Sequence, residues 1–131
     1  MELARTRTDE PVKPERLFQA LGDRTRLRVI ALLRQGELNS GDLSATLGVT
    51  PAALSRHMRS LCQARVVMQR RDDIGTLYQL AVPRDAQSIK LWSLLADMGT
   101  SLTEAALDLE RLQAVRTESV THRAKARPAF R

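Results

Sequence analysis

Apolar residues in the first half of the chain recur every three or four positions, the spacing of a helix with one buried face. Leu17, Phe18 and Leu21 form the first group, and Gly22 ends it. Asp23, a residue type favoured as an N-cap, opens the second group. The apolar positions of the helices that follow are Leu27, Ile30, Ala31 and Leu33, then Leu43 and Leu47, then Leu54, Met58 and Leu61. The pattern predicts four short helices, of which the third begins at Ser40 and the fourth is capped by Thr50.

The hydrophobic pattern changes after the fourth helix. Residues 66–71 and 76–80 are two β-prone runs, separated by Asp72, Asp73, Ile74 and Gly75. A short connection with a glycine available for positive φ predicts a β-hairpin. From residue 86 to 115 the apolar residues return to helical spacing, which predicts one long helix weakened in the middle by Gly99.

The two ends of the chain are polar. We interpret residues 1–13 as a flexible arm, residues 14–115 as one domain and residues 116–131 as a basic, disordered tail. From Thr117 onward, the tail carries Arg123, Lys125, Arg127 and Arg131 against a single acidic residue, Glu118. The whole chain of 131 residues has a formal net charge of +6, which attracts it to polyanions in general.

Several classes of protein are excluded or disfavoured. No stretch approaches the roughly 18 apolar residues of a membrane span, and the first residues lack the apolar run of a secretory signal. Cys62 is the only cysteine, so neither an intrachain disulfide nor a multi-thiolate metal site is available. No Ser-His-Asp set, phosphate-binding glycine loop or metal cluster indicates an enzyme. We expect a cytoplasmic, non-enzymatic protein without a cofactor, in which Cys62 is either a packing residue or a reactive thiol.

Two short helices joined by a glycine turn and followed by a hairpin have the order of a winged helix-turn-helix. In that fold the second helix of the pair enters the major groove of DNA, and the hairpin lies along the backbone. The candidate DNA-binding residues are Thr50, Ala52, Ser55, Arg56, His57 and Arg59 on that helix, and Arg70 and Arg71 before the hairpin turn. Alone, either Arg56 or Arg59 would be an ordinary solvated residue, but the number of donors on this helix favours DNA.

Two motifs extend this interpretation to a family. The sequence ALGDRTRLR at residues 20–28 resembles the ALGDPTRLRIL opening of the ArsR/SmtB repressors, and LSRHMRSL at residues 54–61 is similar to their recognition helix, VSRHLKVL. The strand at residues 76–80 resembles the end of their wing. The resemblance implies a mainly α winged helix-turn-helix that dimerises through its terminal helices and represses transcription. It also implies that Ser55 and Arg56 contact DNA.

The chain departs from the family pattern in its helix and its hairpin. Pro51 and Ala52 stand where polar residues are frequent, so we expect apolar contact there, for example with a thymine methyl group. Asp72 and Asp73 stand where basic residues are common, and their carboxylates should keep the hairpin tip away from phosphates.

The metal sites of the family are not expected in this chain. The arsenic-type site resembles ELCVCDL, but the corresponding segment here has Asn39 and Gly41 in the two thiol positions. Soft metalloids require thiolates. The zinc-type site needs histidine on the last helix, and the predicted long helix has none. We therefore predict no metal site.

A helix of roughly 30 residues, about 45 Å long, would extend past the core of so small a domain and leave apolar surface exposed. Pairing with a second copy would cover that surface and match a palindromic operator in double-stranded DNA. The predicted dimer interface consists of Leu17, Leu91, Trp92, Leu95, Met98, Leu102 and Leu109. Two alternatives remain open: a dimeric protein-interaction module with incidental, charge-driven DNA binding, and a general nucleic-acid binder that depends on the basic tail.

Overall fold

The computed structural model of the chain describes residues 12–99 and 101–126, the last six by their backbone. The helices are α1 (Pro14–Leu21), α2 (Arg24–Leu33), α3 (Ser40–Leu47), α4 (Pro51–Gln63), α5 (Ala86–Gly99) and α6 (Ala105–Ala126), and the strands are β1 (Leu38–Asn39), β2 (Val67–Arg71) and β3 (Thr76–Leu80). This order confirms the predicted winged helix-turn-helix. Most of the predicted arm, and residues 127–131 of the predicted tail, lie outside the described residues.

The helix boundaries follow from capping residues that the sequence displays. The Asp23 side chain accepts a hydrogen bond from the Arg26 backbone N–H at 3.1 Å, and the Thr50 hydroxyl accepts one from the Ala53 N–H at 3.1 Å. Both bonds satisfy a free N–H group in the first turn of a helix. Gly48 ends α3 with φ 70°, a left-handed conformation that glycine adopts without strain. The resulting tight turn sets α3 and α4 side by side as a helix-turn-helix.

The hairpin of β2 and β3, which we call the wing, is joined by a third strand. The sheet order is β1-β3-β2, and both pairings are antiparallel. In β1, Leu38 pairs with Tyr78 and Asn39 with Leu77. Because β3 begins at the wing tip (residues 72–75), this register means that β1 runs toward the tip. The first turn of α3, which follows β1 directly, therefore lies at the wing-tip end of the sheet.

The hydrophobic core lies between α2, α3, α4 and the sheet. The largest side chains that are almost completely buried are Val29, Leu32, Leu43, Leu54, Met58, Leu61 and Val66. Leu43, Leu54, Met58 and Leu61 belong to the predicted stripes of α3 and α4, whereas Val29 and Leu32 of α2 were not in its predicted stripe, of which Leu27 and Ala31 are only half-buried. Burial of these side chains holds α4 against the domain by one face only.

The predicted long helix is wrong: residues 86–115 form parts of two helices. Gly99 ends α5 at a close contact with α2, where a Cβ added to Gly99 would lie 3.4 Å from the Ala31 Cβ. A tight turn follows, in which the Ser101 N–H donates to the Met98 carbonyl at 3.0 Å. The chain then reverses into α6, in which Leu112 is buried in the core at 2% exposure.

Helix α6 also continues well past the predicted end at residue 115. Residues 116–126 were expected to be disordered, yet they are helical. Polar contacts that join α6 and the residue before it to the domain include Arg24 with Glu104 at 2.7 Å, Arg28 with Asp108 at 2.9 Å, and the Ser119 hydroxyl with Asp42 at 2.9 Å. Arg24 and Arg28 are four residues apart, as are their partners Glu104 and Asp108, so α6 runs parallel to α2; at Ser119 it passes the first turn of α3. Within the described ranges, no helix is both long and apolar enough to cross a membrane.

Candidate nucleic-acid interface

Helix α4 has one buried and one exposed face. Leu54, Met58 and Leu61 are at most 2% exposed and pack into the core. The exposed positions on the helix and its N-cap include Thr50, Pro51, Ala52, Ser55, Arg56 and Arg59. Five of the six predicted DNA contacts at this helix are thus directed to solvent on one element. None of these five side chains is needed for the core, and only Thr50 is also used as a cap.

A shallow groove separates α3 from the N-terminal half of α4. It is lined mostly by small residues, namely Ser40, Gly41, Ser44, Ala45, Gly48, Val49, Pro51, Leu54 and Ser55. Side chains of this size leave the backbone of both helices close to the surface. The exposed Ser55 of α4 lies at this groove.

His57 is positioned differently from its neighbours on α4. Its side chain is 16% exposed, and its Nδ1 accepts a hydrogen bond from Nε of Arg26 at 3.3 Å. The Asp23 carboxylate lies 3.9 Å from the same nitrogen. The Arg26 guanidinium also donates to the carbonyls of Gln19 and Ala20 in the last turn of α1. His57 therefore connects α4 to α1 and α2, whereas the prediction placed it among the outward-facing DNA contacts.

The two predicted arginines of the wing have different environments. Arg70 forms two hydrogen bonds of 2.8 Å with the carboxylate of Glu37, just before β1. These bonds raise the pKa of Arg70 and pair its charge within the chain. Arg71, the next residue, is exposed at the end of β2. Arg71 is consequently the better placed of the two to meet an external anion.

The wing tip carries two acidic residues and one exposed isoleucine. The Asp72 carboxylate accepts hydrogen bonds from the backbone N–H groups of Ile74 at 2.8 Å and Gly75 at 3.0 Å. These two bonds stabilise the ionised carboxylate and lower the pKa of Asp72. Asp73 is exposed beside it, and Ile74 is 71% exposed. The tip thus presents negative charge and an isoleucine to any ligand of the wing.

Cys62 lies on the half-buried side of α4. Its Sγ is 4.0 Å from Oε1 of Gln69, and burial raises the pKa of the thiol. A raised pKa reduces the fraction of reactive thiolate, which favours the packing interpretation over the redox one. In the described part of the chain, no three His, Cys, Asp or Glu residues are grouped so that they could hold a metal ion.

The predicted dimer residues divide into two sets. Leu17, Leu91, Trp92 and Leu95 pack against the core, and the Trp92 indole N–H donates to the Ala81 carbonyl at 2.9 Å. Met98 and Leu109 are exposed, by 52% and 39%, and Leu102 is half-buried. Apolar residues that the prediction omitted are more exposed: Phe18 at 65%, Ile89 at 55% and Leu94 at 54%. Their exposure depends on how α1 and α5 are rotated against α2, which periodicity alone does not determine.

Comparison with known proteins identifies the family. Residues 23–68 match the model of the arsR family of bacterial regulatory proteins. The chain is 31% identical over 86 residues to a probable mercury resistance operon repressor of Streptomyces lividans, covering 66% of this chain and 69% of that protein. It is 39% identical over 67 residues to the HTH-type transcriptional regulator Rv2034 of Mycobacterium tuberculosis. That match covers 51% of this chain and 63%, less than two thirds, of the regulator.

The solved structures agree with this fold. A homodimeric winged helix-turn-helix DNA-binding domain of Mycobacterium bovis, solved by NMR, superposes with a TM-score of 0.56 at 23% identity. The superposition covers 69% of this chain and 81% of that domain. The structural match shows that the fold is the same. The sequence match to the repressor of Streptomyces lividans shows the family. The chain belongs to the ArsR family of bacterial regulatory proteins.

Proposed function

We propose that this protein is a homodimeric, sequence-specific DNA-binding transcriptional repressor that places α4 in the major groove. The observation that carries the proposal is the division of α4: Leu54, Met58 and Leu61 fix the helix to the core, and Ser55 and Arg56 are exposed on the opposite side. A rigidly held helix with free polar side chains is what reading a base sequence requires.

The exposed side chains have chemistry suited to separate tasks. Arg56 can form two hydrogen bonds with a guanine edge, and Ser55 can bond to any of the bases. Ala52 offers only a methyl group, which fits the methyl group of thymine. Thr50, Arg59 and Arg71 suit phosphates, which position the protein without distinguishing sequences. Arg70 contributes less, because Glu37 already pairs its charge.

Exposed apolar residues support the formation of a homodimer. Phe18 on α1 and Ile89, Leu94 and Met98 on α5 are each more than half exposed. A second copy that covers these residues gives a two-fold dimer, and the two copies of α4 would then read a palindromic site. The superposed domain of Mycobacterium bovis is described as homodimeric, which supports the same arrangement here.

The names of similar proteins also support repression of transcription. The relative from Streptomyces lividans is a probable repressor of a mercury resistance operon, and others carry the name of transcriptional repressor. We assign to this chain the same role of repression, released by a signal that is still to be identified. The protein then acts in the bacterial cytoplasm, where its DNA is, and it performs no catalysis.

Selection from a library of random DNA duplexes, combined with light scattering, tests this function. The proposal predicts enrichment of one palindromic sequence and a particle with twice the chain mass. A dimer that enriches no sequence, and binds all duplexes equally with strong dependence on salt, would support the protein-interaction module instead. A monomer would contradict the two-fold arrangement, whatever the selected sequence.

A further inference from the structure

One ring nitrogen of His57 faces both a cation in the first turn of α2 and the carboxylate that caps this helix. Nδ1 lies 3.3 Å from Nε of Arg26 and 3.9 Å from Oδ1 of Asp23. A guanidinium only donates hydrogen bonds, so the contact with Arg26 requires an Nδ1 that carries no proton. The arrangement in the structure is therefore the one that suits a neutral imidazole.

A protonated His57 would favour the other partner. Both nitrogens of an imidazolium donate, so Nδ1–H would face the N–H donor of Arg26 and two positive charges would meet. The Asp23 carboxylate lies only about 1 Å beyond hydrogen-bond distance of the same nitrogen, and a bond to it would be charge-assisted. Histidine is the residue type that changes its charge between about pH 5 and 8. A change of pH in that range can therefore exchange Arg26 for Asp23.

The other charged groups on the elements packed around α4 are directed elsewhere. The described residues give the imidazole no ion-pair partner besides Asp23. On α1, Glu15 and Arg16 lie in the first turn, whereas the contacts with Arg26 are in the last turn. Other charged side chains of α2, α3 and β2 have partners elsewhere in the chain, namely Arg24 with Glu104, Arg28 with Asp108, Asp42 with Ser119 and Arg70 with Glu37. Further cations on α4 and β2 are exposed to solvent, namely Arg56, Arg59 and Arg71. Arg26 and Asp23 are thus the two charged groups that decide the state of the imidazole.

Arg26 connects α4 to the helix that carries the exposed Phe18. Its guanidinium donates to the carbonyls of Gln19 and Ala20 in the last turn of α1, at 3.3 Å each, and to His57 on α4. Phe18 of the same helix is 65% exposed and belongs to the apolar surface that the proposed dimer covers. The contact with His57 therefore helps to set the position of α4 relative to the dimer surface. That position decides whether both copies of α4 fit successive turns of the major groove.

We propose that His57, Arg26 and Asp23 form a proton-operated switch that controls the position of α4 for DNA binding. Neutral His57 accepts from Arg26 and holds α4 in the position that binds DNA. Protonated His57 bonds to Asp23 instead, and α4 is no longer connected to α1 through Arg26. The inference rests on the proposed function, since it assumes that two copies of α4 bind one duplex. DNA affinity therefore falls in acid, whereas an added positive charge beside a phosphate would raise it.

The test measures DNA affinity from about pH 8 to about pH 5 at constant ionic strength. The proteins are the wild type, His57→Gln and His122→Gln. Glutamine can accept a hydrogen bond from Arg26 through Oε1 but cannot take up a proton in this range. His122 is the only other histidine of the chain, so its replacement provides the matched control. Fluorescence anisotropy uses the duplex enriched by selection and a scrambled duplex of equal length, and circular dichroism checks the fold at both pH limits.

The proposal predicts a loss of affinity in acid that depends on His57. Binding that releases one proton per protomer changes log K by up to about two per pH unit for a dimer. The affinity of the wild type for the enriched duplex should therefore fall at least about tenfold over the range. His122→Gln should show the same fall, and His57→Gln a much smaller one. An affinity that rises in acid, or that falls equally in His57→Gln, overturns the proposal.

NMR of the free protein with nitrogen-15-labelled histidine supplies an independent readout. The neutral ring of His57 should carry its proton on Nε2, because Nδ1 accepts from Arg26. Asp23→Asn keeps a good N-cap but removes the carboxylate that receives the imidazolium, so it should move the titration of His57 to lower pH. A neutral ring protonated on Nδ1, or a titration unchanged in Asp23→Asn, also overturns the switch. Equal wild-type binding to both duplexes at about pH 8 would instead overturn the proposed function, and the NMR titration would still decide this inference.

Discussion

Arg28 and Asp108 form a two-bonded ion pair between α2 and α6. Nε and one terminal nitrogen of Arg28 each donate to a different carboxylate oxygen at 2.9 Å. The side chains are only 14% and 4% exposed, and the hydrogen bonds raise the pKa of Arg28. Because this two-bonded pair is mostly buried, it attaches α6 to α2 and fixes the position of α6 along α2.

Replacing one partner of this pair should strongly destabilise the protein. In Asp108→Asn, the Arg28 guanidinium remains largely buried without a counter-charge, so the free energy of unfolding should fall by about 3 kcal/mol. Arg28→Met/Asp108→Leu, which removes both charges, should lose much less. Urea unfolding of each variant at one fixed protomer concentration measures both values. An Asp108→Asn protein as stable as the wild type would show that the pair does not fasten α6.

The ion pair of Arg24 and Glu104 should make stability depend on acid pH. The hydrogen bond from Arg24 lowers the pKa of Glu104 from 4.5 to about 2. Because the folded pKa lies below the unfolded one, the stabilisation is present above pH 4.5 and is lost as the pH falls toward 2. The melting temperatures of the wild type and Glu104→Gln should therefore differ at neutral pH and converge between those two pH values. A difference that persists at pH 2 would contradict this assignment.

His57 and Arg56 should have separable roles although they are neighbours on α4. His57→Ala removes the acceptor for Arg26, so it should cost about 1 kcal/mol of stability. It should also weaken binding to the enriched and scrambled duplexes by similar factors. Arg56→Ala should leave stability unchanged within about 0.5 kcal/mol and reduce binding to the enriched duplex selectively. Urea unfolding and anisotropy on the same preparations measure both effects, and a selective loss in His57→Ala would place it among the base contacts after all.

Glu37 should limit the contribution of the wing to DNA binding. Glu37→Gln removes the charge paired with Arg70, so Arg70 becomes available to a phosphate. Affinity should rise, and the slope of log K against log salt should steepen by about 1 per protomer. Arg70→Gln supplies the comparison, because the paired arginine should contribute little and its loss should change the slope less. If Glu37→Gln binds DNA no better than the wild type, the wing arginine does not compete for phosphate.

The local structure of this chain was predictable because its signals are local. Asp23 and Thr50 act as the expected caps, and the hairpin connection lies where Gly75 allows it. The exposed side of α4 followed from the spacing of Leu54, Met58 and Leu61. Capping and periodicity involve residues within a few positions of one another, so a single sequence displays them.

The predictions that were wrong or missing depend on contacts between residues that are distant in the sequence. The stripe of leucines continues through Gly99, so the sequence did not show that this glycine packs against Ala31 and ends α5. Strand β1 has only two residues, too few for a recognisable pattern. The pairs of Arg70 with Glu37 and of His57 with Arg26 join residues more than thirty positions apart. Only the folded structure shows which candidate side chains already form hydrogen bonds or ion pairs within the chain.

The most direct test of the central claim, that α4 reads a DNA sequence, compares the wild type with Ser55→Ala/Arg56→Ala. Fluorescence anisotropy at about 0.15 M salt gives the affinities for the enriched and scrambled duplexes. We predict that the wild type prefers the enriched duplex by roughly a thousandfold and that the variant loses most of this preference while it stays folded. Equal, salt-sensitive binding of both duplexes by both proteins would contradict the account.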